Sequence, residues 1–162
     1  MVTASIYIEP YLAEFLQGKY GNGTSAPISI PERTDLYHLL WDLMACRRIN
    51  VRDESDDNLV FILPDRRQGK DPAYYNYLSS QSALIISKKI RAEFNNDLLQ
   101  ALEENNAAGR EFDNIEVVHQ FLTRHGITSI SEDGLLKNYY RWRENVRKRR
   151  YRRKYNKIVS SY

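Results

Sequence analysis

The chain has 162 residues, of which 42% are hydrophobic and 28% are charged. This composition supplies enough apolar side chains for a folded core and excludes an intrinsically disordered polypeptide. A single cysteine, Cys46, excludes an internal disulfide, and its place within an apolar helical run predicts a small buried thiol in a reducing compartment. No signal-peptide pattern begins the chain and no apolar run approaches the roughly 20 residues of a membrane span, so we expect a cytoplasmic protein.

Short strands alternate with helices over residues 1–64. Alternating apolar residues predict three strands, at 5–8, 28–30 and 59–63. Pro10 suits the first position of one helix, and Thr34 suits the cap of a second helix that runs to about residue 48. These elements predict an α+β fold whose first region, residues 1–64, is a small α/β unit of order β-α-β-α-β.

The second region, residues 65–109, joins an aromatic loop to a long helix. Tyr74, Tyr75 and Tyr77 precede a helical pattern that runs from about residue 79 to 105. Its apolar side chains recur about every four residues and predict one continuous stripe: Leu84, Ile86, Ile90, Phe94, Leu98 and Leu102. A stripe of this length is a candidate surface for a homodimer, which a palindromic DNA site would require.

The third region, residues 110–162, has the pattern of two helices joined by a glycine turn. Asp113 with Glu116 predicts a capping box at the start of the first helix. Gly126 predicts a left-handed end to that helix, and Ser131 predicts the cap of the next. One face of the second helix, expected to pack on the first, carries Leu135, Tyr139, Trp142 and Val146.

Two architectures fit this pair of helices. A helix, a glycine turn and a basic helix form the plan of a helix-turn-helix DNA reader, whose second helix enters the major groove. The link from Gly126 to Ser131 is longer than the roughly three or four residues of the tight motif, so the likeness is loose. The alternative is an antiparallel helical hairpin whose basic face makes non-specific contacts with polyanions.

Positive charge is concentrated in the third region. Residues 137–157 hold eleven bases and one acid, a net charge of +10, which leaves −7 on the rest of a chain whose total is +3. This uneven charge distribution predicts a polyanionic partner that binds the basic end of the chain. The abundance of arginine favours phosphate groups as the anions. We therefore expect a nucleic-acid partner, duplex DNA above all. The expected DNA-binding residues are Lys137, Arg141, Arg143, Arg147, Lys148, Arg149, Arg150, Arg152, Arg153 and Lys154.

The sequence does not assemble catalytic or cofactor-binding chemistry. Three histidines, His38, His119 and His125, lie on different predicted elements, and no Cys/His spacing typical of a metal site occurs. Phosphate-binding glycine motifs and nucleophile elbows are absent as well. We expect a protein that is not an enzyme and that needs neither cofactor nor metal.

Three stretches carry a resemblance to a known family: residues 36–43 (LYHLLWDL), residues 63–67 with 76–79 (LPDRR and NYLS), and Gly126-Ile127 with residues 135–143 (LLKNYYRWR). Together they resemble a little-characterised family of small proteins, regarded as DNA-binding or regulatory, from Mu-like phages and mobile elements of Bacteroidetes. The resemblance implies a DNA-binding regulator of transcription and carries no catalytic residues. The alternative is a phage or mobile-element structural or interaction protein, whose basic tail binds an acidic partner or packaged DNA.

Overall fold

The computed structural model describes residues 1–21, 27–47, 56–66 and 68–159, without the side chains of Lys154 and residues 156–159. Over these ranges the fold is α+β, as the sequence predicts, with strands first and long helices after them. The elements in chain order are β1 (Thr3–Ile6), α1 (Pro10–Tyr20), β2 (Ile28–Ser29), α2 (Asp35–Leu43), β3 (Leu59–Ile62), α3 (Ser80–Ala107), α4 (Asn114–His125) and α5 (Glu132–Val159).

The three strands form one small mixed sheet of order β1-β3-β2. The central strand, β3, is antiparallel to β1 and parallel to β2, so that Phe61 lies opposite Ala4 on one side and Ile28 on the other. β1 begins and ends two residues earlier than predicted. It ends before Ile8 because the side chain of Asn58 takes the place of a strand partner there. The Ile8 backbone N–H donates to Asn58 Oδ1 (3.0 Å), and the Ile8 carbonyl accepts from Asn58 Nδ2 (2.8 Å).

α2 ends at Leu43, before the predicted residue 48, which itself lies outside the described residues. The reason is nonlocal, because the Lys70 ammonium caps the last turn of the helix. It donates to the carbonyls of Trp41 (3.0 Å), Asp42 (2.6 Å) and Met44 (2.7 Å). Ala45 then pairs with Tyr77 in an isolated antiparallel bridge. Cys46 follows this bridge and is exposed, so the prediction of a buried thiol is wrong.

The long helix α3 runs through the centre of the core. Its predicted stripe is buried within the chain, except for Leu84, which is 60% exposed. Phe94 makes edge-to-face contacts with Phe15 of α1 (5.3 Å between ring centroids) and with Phe121 of α4 (5.6 Å). Because the stripe packs on helices of the same chain, it does not offer the homodimer surface predicted from the sequence.

α1 and α4 approach each other closely at one glycine. A Cβ atom at Gly18 would lie 2.2 Å from the backbone oxygen of His125 and 2.6 Å from its Cα atom. No larger residue fits at these distances without moving backbone, so Gly18 allows this crossing. Phe15 lies on the same helix, is fully buried and stacks on Phe121 (6.3 Å). Side chains from all three predicted regions therefore share one continuous core.

Candidate nucleic-acid interface

The turn that leads into the basic helix begins where α4 ends. Gly126 takes a left-handed conformation (φ 65°) and the N–H of Ile127 donates back to the last turn of α4 (2.9 Å), which confirms the predicted glycine stop. The start of α4 differs from the prediction, because Asp113 makes no side-chain cap hydrogen bond. The buried face of α4 includes Val117, whereas Ile115 in the first turn is 46% exposed.

The link between α4 and α5 is held against α1 by one carboxylate. Glu14 accepts hydrogen bonds from the backbone N–H and the hydroxyl of Thr128 (2.8 and 3.2 Å) and from the same two groups of Ser129 (3.1 and 2.8 Å). Burial alone would raise the pKa of Glu14, but these hydrogen bonds outweigh it and lower the pKa below the ordinary value of 4.5. The ionised carboxylate thus fixes the link from which α5 starts.

We expect Glu14→Gln to lower the free energy of unfolding by about 1 kcal/mol at neutral pH, because the amide loses the charge-assisted hydrogen bonds. Since the folded-state pKa of Glu14 lies below the unfolded-state value, the stabilisation is present above pH 4.5 and is lost as the pH falls through the folded-state pKa. Urea unfolding of both chains at neutral and at acidic pH measures the difference.

The control for this prediction is Glu111→Gln, which changes an exposed carboxylate on the loop before α4. This chain should have the wild-type free energy of unfolding at neutral pH. A Glu14→Gln chain that also matches the wild type would show that the four hydrogen bonds to the link contribute nothing to stability.

The first turns of α5 pack on the C-terminal end of α3 and the N-terminal end of α4. Tyr139 is buried, and its hydroxyl donates to Glu103 Oε1 (2.6 Å) and accepts from Asn106 Nδ2 (2.9 Å). The Tyr140 hydroxyl accepts from Asn114 Nδ2 (3.2 Å). Burial and the nearby Glu103 carboxylate raise the pKa of Tyr139, which keeps its hydroxyl protonated as a donor. These bonds fix the direction in which α5 leaves the core.

The N-terminal end of α5 is acidic. Ser131 Oγ accepts from the Gly134 N–H (3.3 Å), as predicted, and Glu132 pairs with His119 of α4 (2.7 Å). The hydrogen bond and the charge of Glu132 raise the pKa of His119. A helix-turn-helix reader contacts bases with the N-terminal residues of its second helix. Here Glu132 and Asp133 occupy the first turn and would repel phosphate, so this end of α5 is unsuited to contact with a polyanion.

α5 leaves the rest of the protein, which we call the body (residues 1–131), near the middle of the helix. The predicted apolar face extends to Val146, but only its first two members are buried; Trp142 is 39% exposed and Val146 is half-buried. Every side chain from Arg147 to Arg153 is exposed. Twenty-eight residues at about 1.5 Å each make a helix about 42 Å long, so roughly its last 20 Å project into solvent.

The predicted DNA-binding residues lie along α5, most of them on its projecting part. We define the basic segment as residues 141–154. Its one acid, Glu144, pairs with Lys148 (2.7 Å), which lowers the pKa of Glu144. Lys154 lies within α5, but its side chain is outside the described residues. The other predicted contacts are all exposed: Lys137, Arg141, Arg143, Arg147, Lys148, Arg149, Arg150, Arg152 and Arg153.

No family model, curated protein or solved structure matches this chain. The resemblance to proteins of phages and mobile elements therefore stays a prediction. The observation that bears on function is the concentration of exposed bases in the basic segment.

The described part also holds a cavity of about 560 Å³ between β1 and the N-terminal half of α3. Two of its charged side chains are already partnered, Arg91 by Glu9 and Asp57 by the Ser5 hydroxyl. A second cavity, of about 440 Å³, lies between α2 and α3, where Lys89 pairs with Asp35. Within the described ranges no three His, Cys, Asp or Glu side chains gather as metal ligands, and no described helix is long and apolar enough to cross a membrane. The basic segment is therefore the strongest concentration of unneutralised charge among these residues.

Proposed function

We propose that this chain binds duplex DNA through the basic segment of α5. The observation that carries the proposal is the basic segment itself, which holds nine bases and one acid and most of which projects from the body. Among its described side chains only Lys148 forms an ion pair. A regulatory role and a cytoplasmic location belong to the same proposal, as the family resemblance implies.

Repulsion within the basic segment favours a polyanionic ligand. Cations four residues apart, such as Arg143 with Arg147 and Arg149 with Arg153, face the same side of the helix and cost roughly 0.2–0.5 kcal/mol per pair. Phosphates placed between them remove this cost and release the counterions condensed on the DNA. Guanidinium groups also donate to phosphate in a bidentate manner. Because the rest of the chain is acidic, DNA is drawn to one end of the molecule.

Two other polyanionic partners are less well supported. A membrane surface would call for an apolar stripe beside the cations, and residues 147–157 contain no leucine, phenylalanine or tryptophan. An acidic protein partner would make the chain a structural or interaction protein. That alternative predicts no binding to isolated DNA duplexes.

A salt titration of binding to a labelled duplex tests the proposal. The logarithm of affinity should fall linearly with the logarithm of salt concentration, and Arg149→Gln with Arg153→Gln should reduce the slope by about 1.8, at about 0.9 for each lost contact. The matched control is Arg33→Gln with Lys88→Gln, which removes two exposed cations from the body and should leave the slope unchanged. Absence of binding at low salt would refute the proposal and favour the acidic protein partner.

A further inference from the structure

The cations of the basic segment lie on three sides of the helix. At about 3.6 residues per turn, each residue advances by about 100° around the axis. Three cationic rows result, separated in turn by about 90°, 110° and 160° around the axis. The rows are Arg141 with Arg152, Arg149 with Arg153, and Arg147 with Arg150. All six side chains are exposed. The basic segment therefore presents positive charge over most of its circumference, and the widest gap between rows holds Glu144 and Tyr151.

One of these rows continues the face that packs on the body at the base of α5. On that face Leu135 and Tyr139 are buried. Further along, Arg149 and Arg153 lie on the same face and are exposed. A helix that rests on a protein surface along its whole length keeps one apolar side. Because this side becomes cationic once α5 has left the body, the packing face of α5 does not continue into the basic segment.

We propose that the basic segment lies lengthwise in the major groove of B-form DNA, with a phosphate backbone on each side and base edges beneath it. This inference rests on the proposed function. The major groove is about 12 Å wide, and a helix with its side chains is about 10–12 Å across. Two cationic rows then reach the two flanking backbones. The third faces the floor of the groove, where arginine donates to O6 and N7 of guanine.

Other polyanions do not engage all three rows. The minor groove of B-form DNA is about 6 Å wide, and the deep groove of A-form RNA is too narrow for side chains to enter. A flat anionic surface touches one side of a helix and leaves at least one row in water. A ligand that encloses the helix is the one that uses every row.

The base of α5 keeps the body out of the groove. The hydrogen bonds of Tyr139 to Glu103 and Asn106 hold the start of the helix against α3, and Glu132 and Asp133 place negative charge at that end. Phosphates repel these carboxylates, whereas the bases further along the helix attract phosphates. The basic segment therefore enters the groove with the body at its rim.

Three double variants of the full chain test whether every row contacts DNA. They are Arg149→Gln with Arg153→Gln, Arg147→Gln with Arg150→Gln, and Arg141→Gln with Arg152→Gln. Glutamine keeps a helix propensity close to that of arginine, so far-UV circular dichroism should match the wild type. Each variant should lose affinity for a duplex on the order of tenfold or more, about 1.4 kcal/mol. The body variant Arg33→Gln with Lys88→Gln should lose little.

Groove-specific competitors complete the test. Methyl green, which occupies the major groove, should displace the protein, whereas netropsin, which occupies the minor groove, should not. An A-form RNA duplex of the same sequence should bind more weakly than the DNA. Retained affinity in any one of the three row variants, displacement by netropsin alone, or equal affinity for the RNA duplex would overturn the major-groove mode while the DNA-binding function stands. A wild-type chain that binds no duplex would overturn both.

Discussion

A chain carrying Arg141→Glu and Arg147→Glu is expected to bind duplex DNA at least about 100-fold more weakly than the wild type. Each substitution removes a charge-assisted contact worth roughly 1.5–3 kcal/mol and places a carboxylate beside phosphate. Two such losses amount to about 100-fold or more, at about 1.4 kcal/mol per tenfold change. Both side chains are exposed on α5, so the fold is retained. Fluorescence anisotropy of a labelled duplex measures the difference.

The control for charge reversal places the same two changes on the body. Arg33→Glu with Lys88→Glu alters the net charge equally, at exposed positions that do not lie on α5. This chain should bind DNA nearly as the wild type does, because its new carboxylates lie away from the projecting helix. Equal weakening of both variants would mean that overall charge governs binding. Unchanged affinity of the α5 variant would remove Arg141 and Arg147 from the interface.

The substitution Gly18→Ala is expected to lower the free energy of unfolding by at least about 2 kcal/mol, although alanine is the better helix former by about 1 kcal/mol. The added Cβ would meet the backbone oxygen of His125 at 2.2 Å, and backbone atoms cannot rotate aside as a flexible side chain does. α1 and α4 must then separate, which loosens the packing of Phe15 on Phe121. Thermal unfolding should show a Tm roughly 4–8 °C lower.

A second glycine-to-alanine change provides the comparison. Gly134 lies in the first turns of α5, where an added Cβ would have the side-chain oxygen of Ser131 as its neighbour at 3.0 Å. This oxygen can shift slightly and alanine favours the helix, so Gly134→Ala should change Tm little. If Gly18→Ala also left Tm nearly unchanged, this result would contradict the close approach of α1 to the backbone of His125.

The features that the sequence predicted well are those with local determinants. The buried positions of α3 recur about every four residues, and the glycine stop at Gly126 depends on one residue and its neighbours. The end of α2 could not be found in this way, because its last carbonyls bind Lys70 from a distant loop. The exposure of Cys46 follows from that early end. The placement of β3 between β1 and β2 likewise depends on pairing between distant segments.

The candidate site was found because charge, unlike packing, can be counted along the chain. Eleven bases in residues 137–157 remain close together whatever the fold. What the sequence missed is where α5 leaves the body, because the apolar spacing continues to Trp142 and Val146 although α4 no longer covers them. The helix-turn-helix plan suggested contacts at the start of the second helix, and the acidic first turn with Glu132 argues against them.

The mutual contacts of Phe15, Phe94 and Phe121 have a consequence for how the protein is made. These rings belong to α1, α3 and α4, which are far apart along the chain. Roughly a hundred residues must be translated after α1 before α4 is complete. At about 5–20 residues per second this delay lasts roughly 5–20 s. During that time the part of α1 that contacts α4 has no native partner and is open to chaperones or to aggregation. Folding of this chain therefore finishes late, after most of it has left the ribosome.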